Sequence, residues 1–221
     1  MADELWVDVD RYVEGELVHE DQALSAALRA NAAAGLPPID VSAAQGKFLS
    51  LLVRMTGARR VLEIGTLGGY STIWMARALP GDGQLVTLEY EPRHAEVARS
   101  NIERAGLSSK VTVHVGAAVE TLPVLAAADP EPFDFIFIDA DKPSNPIYLD
   151  WAIRLGRSGT VIMLDNVIRE GRVLDPGDPD PRIVGTRAAF DMIGRHPRLD
   201  ATALQTVGAK GWDGFALMIV R

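Results

Sequence analysis

Apolar positions along this chain change their period near residue 58. Before that point VDVDRYVEGELVH and ALSAALRANAAAG carry apolar residues three and four apart, the spacing of one helical face. A third helix is predicted from Ser42, because Ser42 and Gln45 have capping-box spacing and Phe48, Leu49, Leu51 and Leu52 follow; Gly57 is placed to stop it. The first 57 residues therefore read as helical, with no strand among them.

From residue 60 short apolar runs alternate with helical stretches. RRVLEIG, YSTIWMARAL, QLVTLEY, PRHAEVARSNIERAG and KVTVHVG lead to FDFIFIDA, a helix near 146 to 156, GTVIMLDN and a helix near 182 to 195. That βαβ rhythm predicts an α/β fold on a doubly wound parallel sheet. PGDG at 80 to 83 is turn chemistry, and Pro92 and Gly106 are placed to open and close one helix. The last two runs, ATALQTV and FALMIV, are joined by GAKGWDG, short enough for a hairpin that makes the final strand antiparallel to its neighbour. IREGRVLDPGDPDPR, at 168 to 182, is the long irregular segment and a candidate lid. No repeat or linker interrupts the pattern, so residues 1–221 read as one domain, a helical segment 1–57 on an α/β core 58–221.

Composition narrows the chemistry. The 221 residues are 48% hydrophobic, and no stretch approaches the roughly 20 apolar residues that span a bilayer. The acidic start, MADELWVDVDRYVEGE, has no basic segment followed by an apolar one, so cytoplasmic residence is expected. The absence of cysteine excludes disulfides, thiolate zinc sites and cysteine nucleophiles. A net charge of -8 argues against broad binding to nucleic acid or anionic membrane and favours small-molecule chemistry.

Two acidic clusters 26 residues apart carry the strongest chemical signal: Asp139 with Asp141 and Lys142, and Asp165 with Asn166. Each ends an apolar run, and parallel sheets open their ligand crevice at the carboxyl ends of the strands. Two carboxylates and one amide oxygen there make a site for a hard divalent cation such as Mg2+, with Ca2+ or Mn2+ as alternatives. The first strand runs into EIGTLGGYS, whose Gly65, Gly68 and Gly69 lack the G-x-G-x-x-G spacing that receives a dinucleotide pyrophosphate. Glu89 ends the second strand 24 residues after Gly65, near the spacing at which an acid accepts ribose hydroxyls. Adenosine without pyrophosphate fits both features. S-adenosylmethionine is such a ligand, its amino-acid tail lying near Gly65, Thr66, Leu67 and Ser71. The four histidines show no zinc spacing, QGKF lacks the rest of a P-loop, and GYSTI lacks the second glycine of a nucleophile elbow.

Together VLEIGTLGGYSTIWMARAL, LVTLEYEP, FDFIFIDADK and LDNVI, in that order over residues 39–175, resemble the cation-dependent O-methyltransferases related to catechol and caffeoyl-CoA O-methyltransferases. The resemblance implies that Asp139, Asp165 and Asn166 hold the metal and that Lys142 assists deprotonation of the acceptor hydroxyl. It implies Glu89 at the ribose, Val41, Glu63, Gly65 and Ser71 around the methionine part, and Gly116, Ala117, Ala118 and Ala140 near the adenine. It also implies a Rossmann-like seven-stranded sheet with one antiparallel strand, and a homodimer; Leu5, Trp6, Val9 and Val13 are candidates for its interface or for the core. Ile39 stands where relatives often have methionine, Asn145 where many bacterial members have tyrosine, and Pro143 and Pro146 are additions. These flank the acceptor pocket, so they bear on the substrate rather than on the reaction. The expected acceptor is a vicinal dihydroxy aromatic. The alternatives are a hydroxylated RNA base, a nicotinamide-dependent dehydrogenase and a cofactor-binding module without catalysis.

Overall fold

A computed structural model describes residues 2–128 and 131–221. Three helices come first, α1 (Ala2–Leu17), α2 (Gln22–Ala33) and α3 (Ala43–Met55). Asp21 caps α2 by accepting from the backbone N–H of Ala23 and Leu24, and Ser42 caps α3 by accepting from Gln45 N at 3.1 Å. The Ser42 half of the predicted capping box is thus present, but the Gln45 carboxamide goes elsewhere, to Asp165. Gly57, at φ +63, follows α3 in the left-handed conformation that ends helices at little cost.

The alternating part follows as β1 (Arg60–Ile64), α4 (Tyr70–Ala78), β2 (Gln84–Glu89), α5 (Pro92–Arg104), β3 (Val111–Val115), α6 (Ala118–Ala128), β4 (Phe133–Ile138), α7 (Asn145–Leu155), β5 (Gly156–Asp165), α8 (Pro181–Arg195), β6 (Leu199–Gly208) and β7 (Gly211–Val220). One sheet runs β3-β2-β1-β4-β5-β7-β6, with β7 antiparallel to both neighbours and the other pairs parallel. The terminal hairpin is tighter than the GAKGWDG spacing suggests: the strands pair down to Gly208 opposite Gly211, leaving Ala209 and Lys210 as the turn. Helix α6 has no counterpart among the predicted elements, because its apolar residues are interrupted by Pro123 and flanked by small alanines. Residues 168–182 include a short 3-10 turn, Arg169–Leu174, with Arg169, Glu170 and Gly171 at positive φ.

Strand alternation sorts the core onto the two sheet faces. Leu62, Ile64, Ile136, Ile138, Ile162 and Leu164 meet α6, α7 and α8. Val61, Phe135, Phe137, Val161 and Met163 meet α2, α3, α4 and α5. Helices therefore cover both faces, as the near-continuous apolar runs require, and burying each large side chain contributes roughly 1.5–3 kcal/mol. Among the described residues no helix is long and apolar enough to cross a membrane. Parallel pairing brings the carboxyl ends of β1, β2, β3, β4 and β5 to one edge.

Candidate active site

At that edge the turn after β1 packs against the turn after β4. Asp139 N donates to Ile64 O at 2.8 Å, and a Cβ on Gly65 would lie 1.9 Å from Asp139 O, so only glycine permits the approach. Gly65 also has φ +102, which favours glycine independently. The predicted adenosyl side and the predicted cation side are thereby neighbours.

On the adenosyl side two glutamates organise the floor. Glu63 is fully buried in β1, and its carboxylate accepts from the hydroxyls of Ser71, Thr72 and Thr87. Burial pushes its pKa up to about 7 against those three donors, with the Asp139 charge adding to the rise. Its role is to hold Ser71 and the start of α4 from below. Glu89, also buried, has one carboxylate oxygen accepting from Thr66 N at 3.1 Å and Leu67 N at 2.7 Å. The other accepts from Glu91 N at 3.0 Å and faces His94 Nδ1 at 3.3 Å. Thr66 and Leu67 thus act through their backbone, and Leu67 does so at φ +49. Gly116 N donates to Glu89 O, which sets Gly116, Ala117 and Ala118 beside Glu89 at the start of α6.

The helical segment is tied to this loop by amides. Asn31 donates to Asp40 at 2.8 Å, while Asn101 donates to Asn31 at 3.0 Å and to Gly68 O at 2.9 Å. That chain anchors the strand of backbone leading to Val41, which is half-buried against the α2–α5 face. Burial raises the Asp40 carboxyl above its ordinary range.

On the cation side, Lys142 is buried and donates to Asp139 Oδ1 at 2.8 Å. Asp165 is buried at the end of β5; its Oδ1 accepts from Asn166 N at 2.9 Å and its Oδ2 from Gln45 Nε2 at 2.6 Å. Burial first, and the Asp139 charge second, raise the Asp165 pKa well above the carboxylate range, while Lys142 opposes the rise. Asn166 sits at φ +57, a left-handed conformation that asparagine tolerates better than most residues. Asp141 turns outward to accept from Ser144 and Tyr148, leaving Asp139 facing the crevice. Ala140 lies between them, half-buried.

The residues present fit a hard dication. Two neighbouring carboxylates, with the Asp139 charge raising the proton affinity of Asp165 and an amide-bearing residue beside them, form an electrostatic demand for positive charge that a single ammonium offsets only in part. Among the described residues no group of three or more His, Asp or Glu side chains converges, so Asp139 and Asp165 are the charged donors at this edge.

Sequence reasoning did not assign Gln45, Thr72, Thr87, Asn31, Asn101 or His94 to this site. A polar residue inside a buried strand, Thr87 in QLVTLE, was a readable signal; the others had none, being ordinary polar residues on helices.

Sequence relationship decides which class of doubly wound α/β enzyme this crevice belongs to. The chain belongs to the O-methyltransferase family, whose model matches residues 15–218. It is 59% identical over 214 residues to a catechol O-methyltransferase of Mycobacterium tuberculosis, covering 97% of this chain and 96% of that protein. It is 52% identical to a catechol O-methyltransferase of Niastella koreensis over 100% of both chains. A solved O-methyltransferase of Bacillus cereus, in complex with SAH, superposes with a TM-score of 0.97 at 55% identity, covering 99% of each chain. The dehydrogenase and non-catalytic alternatives fall with the family assignment.

Proposed function

We propose that this enzyme transfers the methyl group of S-adenosylmethionine to one hydroxyl of a catechol-like small molecule with the help of a divalent cation. The observation that carries the reading is the juxtaposition, across Gly65, of an adenosyl-type loop with the Asp139, Asp165 and Lys142 cluster. The catechol O-methyltransferases similar to this chain over nearly their whole length support the acceptor class. The donor is supported by the SAH bound in the Bacillus cereus relative.

Glu89 has about four lone-pair positions, three of them taken by the N–H groups of Thr66, Leu67 and Glu91, so it receives a ribose hydroxyl at the position that His94 Nδ1 faces. Ser71, fixed by Glu63, and the backbone near Gly65 and Val41 hold the methionine end; Gly116, Ala117, Ala118 and Ala140 form a low wall for the adenine. Asp139, Asp165 and Asn166 hold the cation, with Mg2+ first and Ca2+ or Mn2+ as alternatives. When bound, the cation lowers the pKa of an attached hydroxyl, and the sulfonium cofactor supplies an electrophilic methyl carbon.

The side chains have two tasks. Lys142 Nζ, kept in the crevice by Asp139, takes the proton that the acceptor hydroxyl loses only as the amine, after its own ammonium proton has passed to solvent. The rigid floor from Glu63 to Thr87 holds nucleophile and methyl donor in line, an effect worth up to about 7–11 kcal/mol in favourable cases. No covalent enzyme intermediate is needed. Ile39, 67% exposed ahead of Val41, flanks the acceptor end, whereas Asn145 and Tyr148 beyond Lys142 are buried and back it from behind Asp141. The exposed apolar residues of α1, Leu5 and Val9, support a homodimer, and cytoplasmic residence belongs to the same proposal.

Calorimetric titration with S-adenosylmethionine and with NAD, each with and without Mg2+, followed by turnover against a panel of catechols, tests the reading. Methyl-donor binding and Mg2+-dependent methylation of a catechol are expected. NAD binding without response to the methyl donor would overturn it.

A further inference from the structure

Gln45 occupies an unusual place for a helix residue. It lies in the first turn of α3, yet its Nε2 reaches 120 residues along the chain to Asp165 Oδ2 at 2.6 Å. The reach depends on how close α3 comes to α4. Gly46, the next residue, lies against Trp74 so tightly that a Cβ there would be 2.3 Å from the indole ring. Any larger residue at 46 would lift the helix and withdraw the amide.

The hydrogen bond does something specific to the carboxylate. Asp165 Oδ1 is oriented by Asn166 N and Oδ2 by Gln45, so both oxygens are fixed while roughly two of their four lone-pair positions stay free. A neutral donor orients a carboxylate without competing for its negative charge, whereas an ammonium in the same place would repel a dication. Lys142 is kept from that role by its own bond to Asp139.

We infer that Gln45 is a positioning residue for the cation site: it fixes the rotamer of Asp165 and so couples the N-terminal helical segment to divalent-metal affinity. Val41, four residues earlier and proposed beside the methionine tail, lies on the same short stretch that Asp40 ties to Asn31. One segment of chain therefore touches both halves of the crevice. This inference rests on the proposed metal dependence.

The test is direct titration of Mn2+, read by the electron paramagnetic resonance signal of the free ion, on wild type and Gln45→Met. S-adenosylhomocysteine affinity is measured in parallel without metal. Methionine keeps the length and loses the donor, and Mn2+ affinity is expected to fall about 10- to 100-fold, the range typical of partners that orient metal ligands. Metal-free S-adenosylhomocysteine affinity is expected to stay within about twofold, since such a change is under about 0.4 kcal/mol. Gln45→Asn keeps the amide but shortens it, and is expected to lose Mn2+ affinity as well. Mn2+ affinity within twofold of wild type in Gln45→Met would overturn the inference. So would parallel loss of metal and S-adenosylhomocysteine binding in both variants, which marks a general structural role. Failure of the wild type to bind Mn2+ would strike the proposed metal dependence instead.

Discussion

The crevice contains two pairs of acids, handled in opposite ways. Glu63 and Glu89, on β1 and β2, are held by hydroxyl and backbone donors: three hydroxyls for one, three backbone N–H groups for the other, which also faces His94. Asp139, just after β4, bonds one lysine, and Asp165, at the end of β5, bonds one amide and feels the Asp139 charge. The first pair spends its acceptor capacity on holding the glycine loop and the start of α4. The second pair is left electrostatically incomplete, which is what a cation site requires. On the proposed reading the same residue chemistry serves as scaffold or as metal ligand according to what the neighbouring strands bring to it.

The largest test of this contrast is Asp165→Ala. Metal assistance worth several kcal/mol converts at 1.36 kcal/mol per factor of ten, so Mg2+-dependent turnover should fall on the order of 10^3-fold. Calorimetry should find the affinity for S-adenosylmethionine nearly unchanged. Wild-type turnover in the purified variant would dissolve the distinction between the two pairs.

Lys142→Met should lower kcat by about 10^2-fold, the lower end of general-base effects. Raising the pH should recover part of the loss, because a larger fraction of the acceptor is then already deprotonated; a variant with unaltered kcat would remove Lys142 from the chemistry. Glu89→Ala should act on the other side, leaving the N–H groups of Thr66 and Leu67 without their acceptor. At about 1–3 kcal/mol for each unsatisfied group, S-adenosylmethionine affinity should weaken by about 10- to 100-fold while Mn2+ binding persists. A variant that lost Mn2+ and kept the cofactor would reverse the assignment of the halves.

The smallest effect is a pH dependence of stability. The Glu63 pKa is about 7 in the folded chain against a reference value of 4.5, so the native state holds the extra proton between those values. Its stabilising contribution is full below about pH 4.5 and is lost as pH rises through 7. Glu63→Gln should flatten that decline, by at most about 3 kcal/mol, in urea unfolding curves taken from pH 5 to 8. Parallel curves for the two proteins would show that the hydroxyl cage already offsets the burial of the charge.

Much of this arrangement was readable beforehand for a local reason. Fully buried parallel strands demand continuous apolar runs, so RVLEI, QLVTLE and FDFIFI announced themselves, and acids at their ends could only meet at one sheet edge. Helix α6 escaped because its apolar spacing is broken by Pro123. Gln45 escaped for a different reason: its capping-box spacing with Ser42 gave it a complete local explanation, and nothing nearby in the chain pointed to Asp165.

By itself the sequence determined which residues lie in strands, which helices other than α6 intervene, and which acids stand at strand ends, because periodicity and turn chemistry act over a few residues. Only the tertiary structure decided that Glu63 is caged by Ser71, Thr72 and Thr87, that Asn31 and Asn101 tie the helical segment to the glycine loop, and that Gln45 reaches Asp165. Those pairings depend on strand order and on the close approach of α3 to Trp74, and both are fixed by packing between segments far apart in the chain.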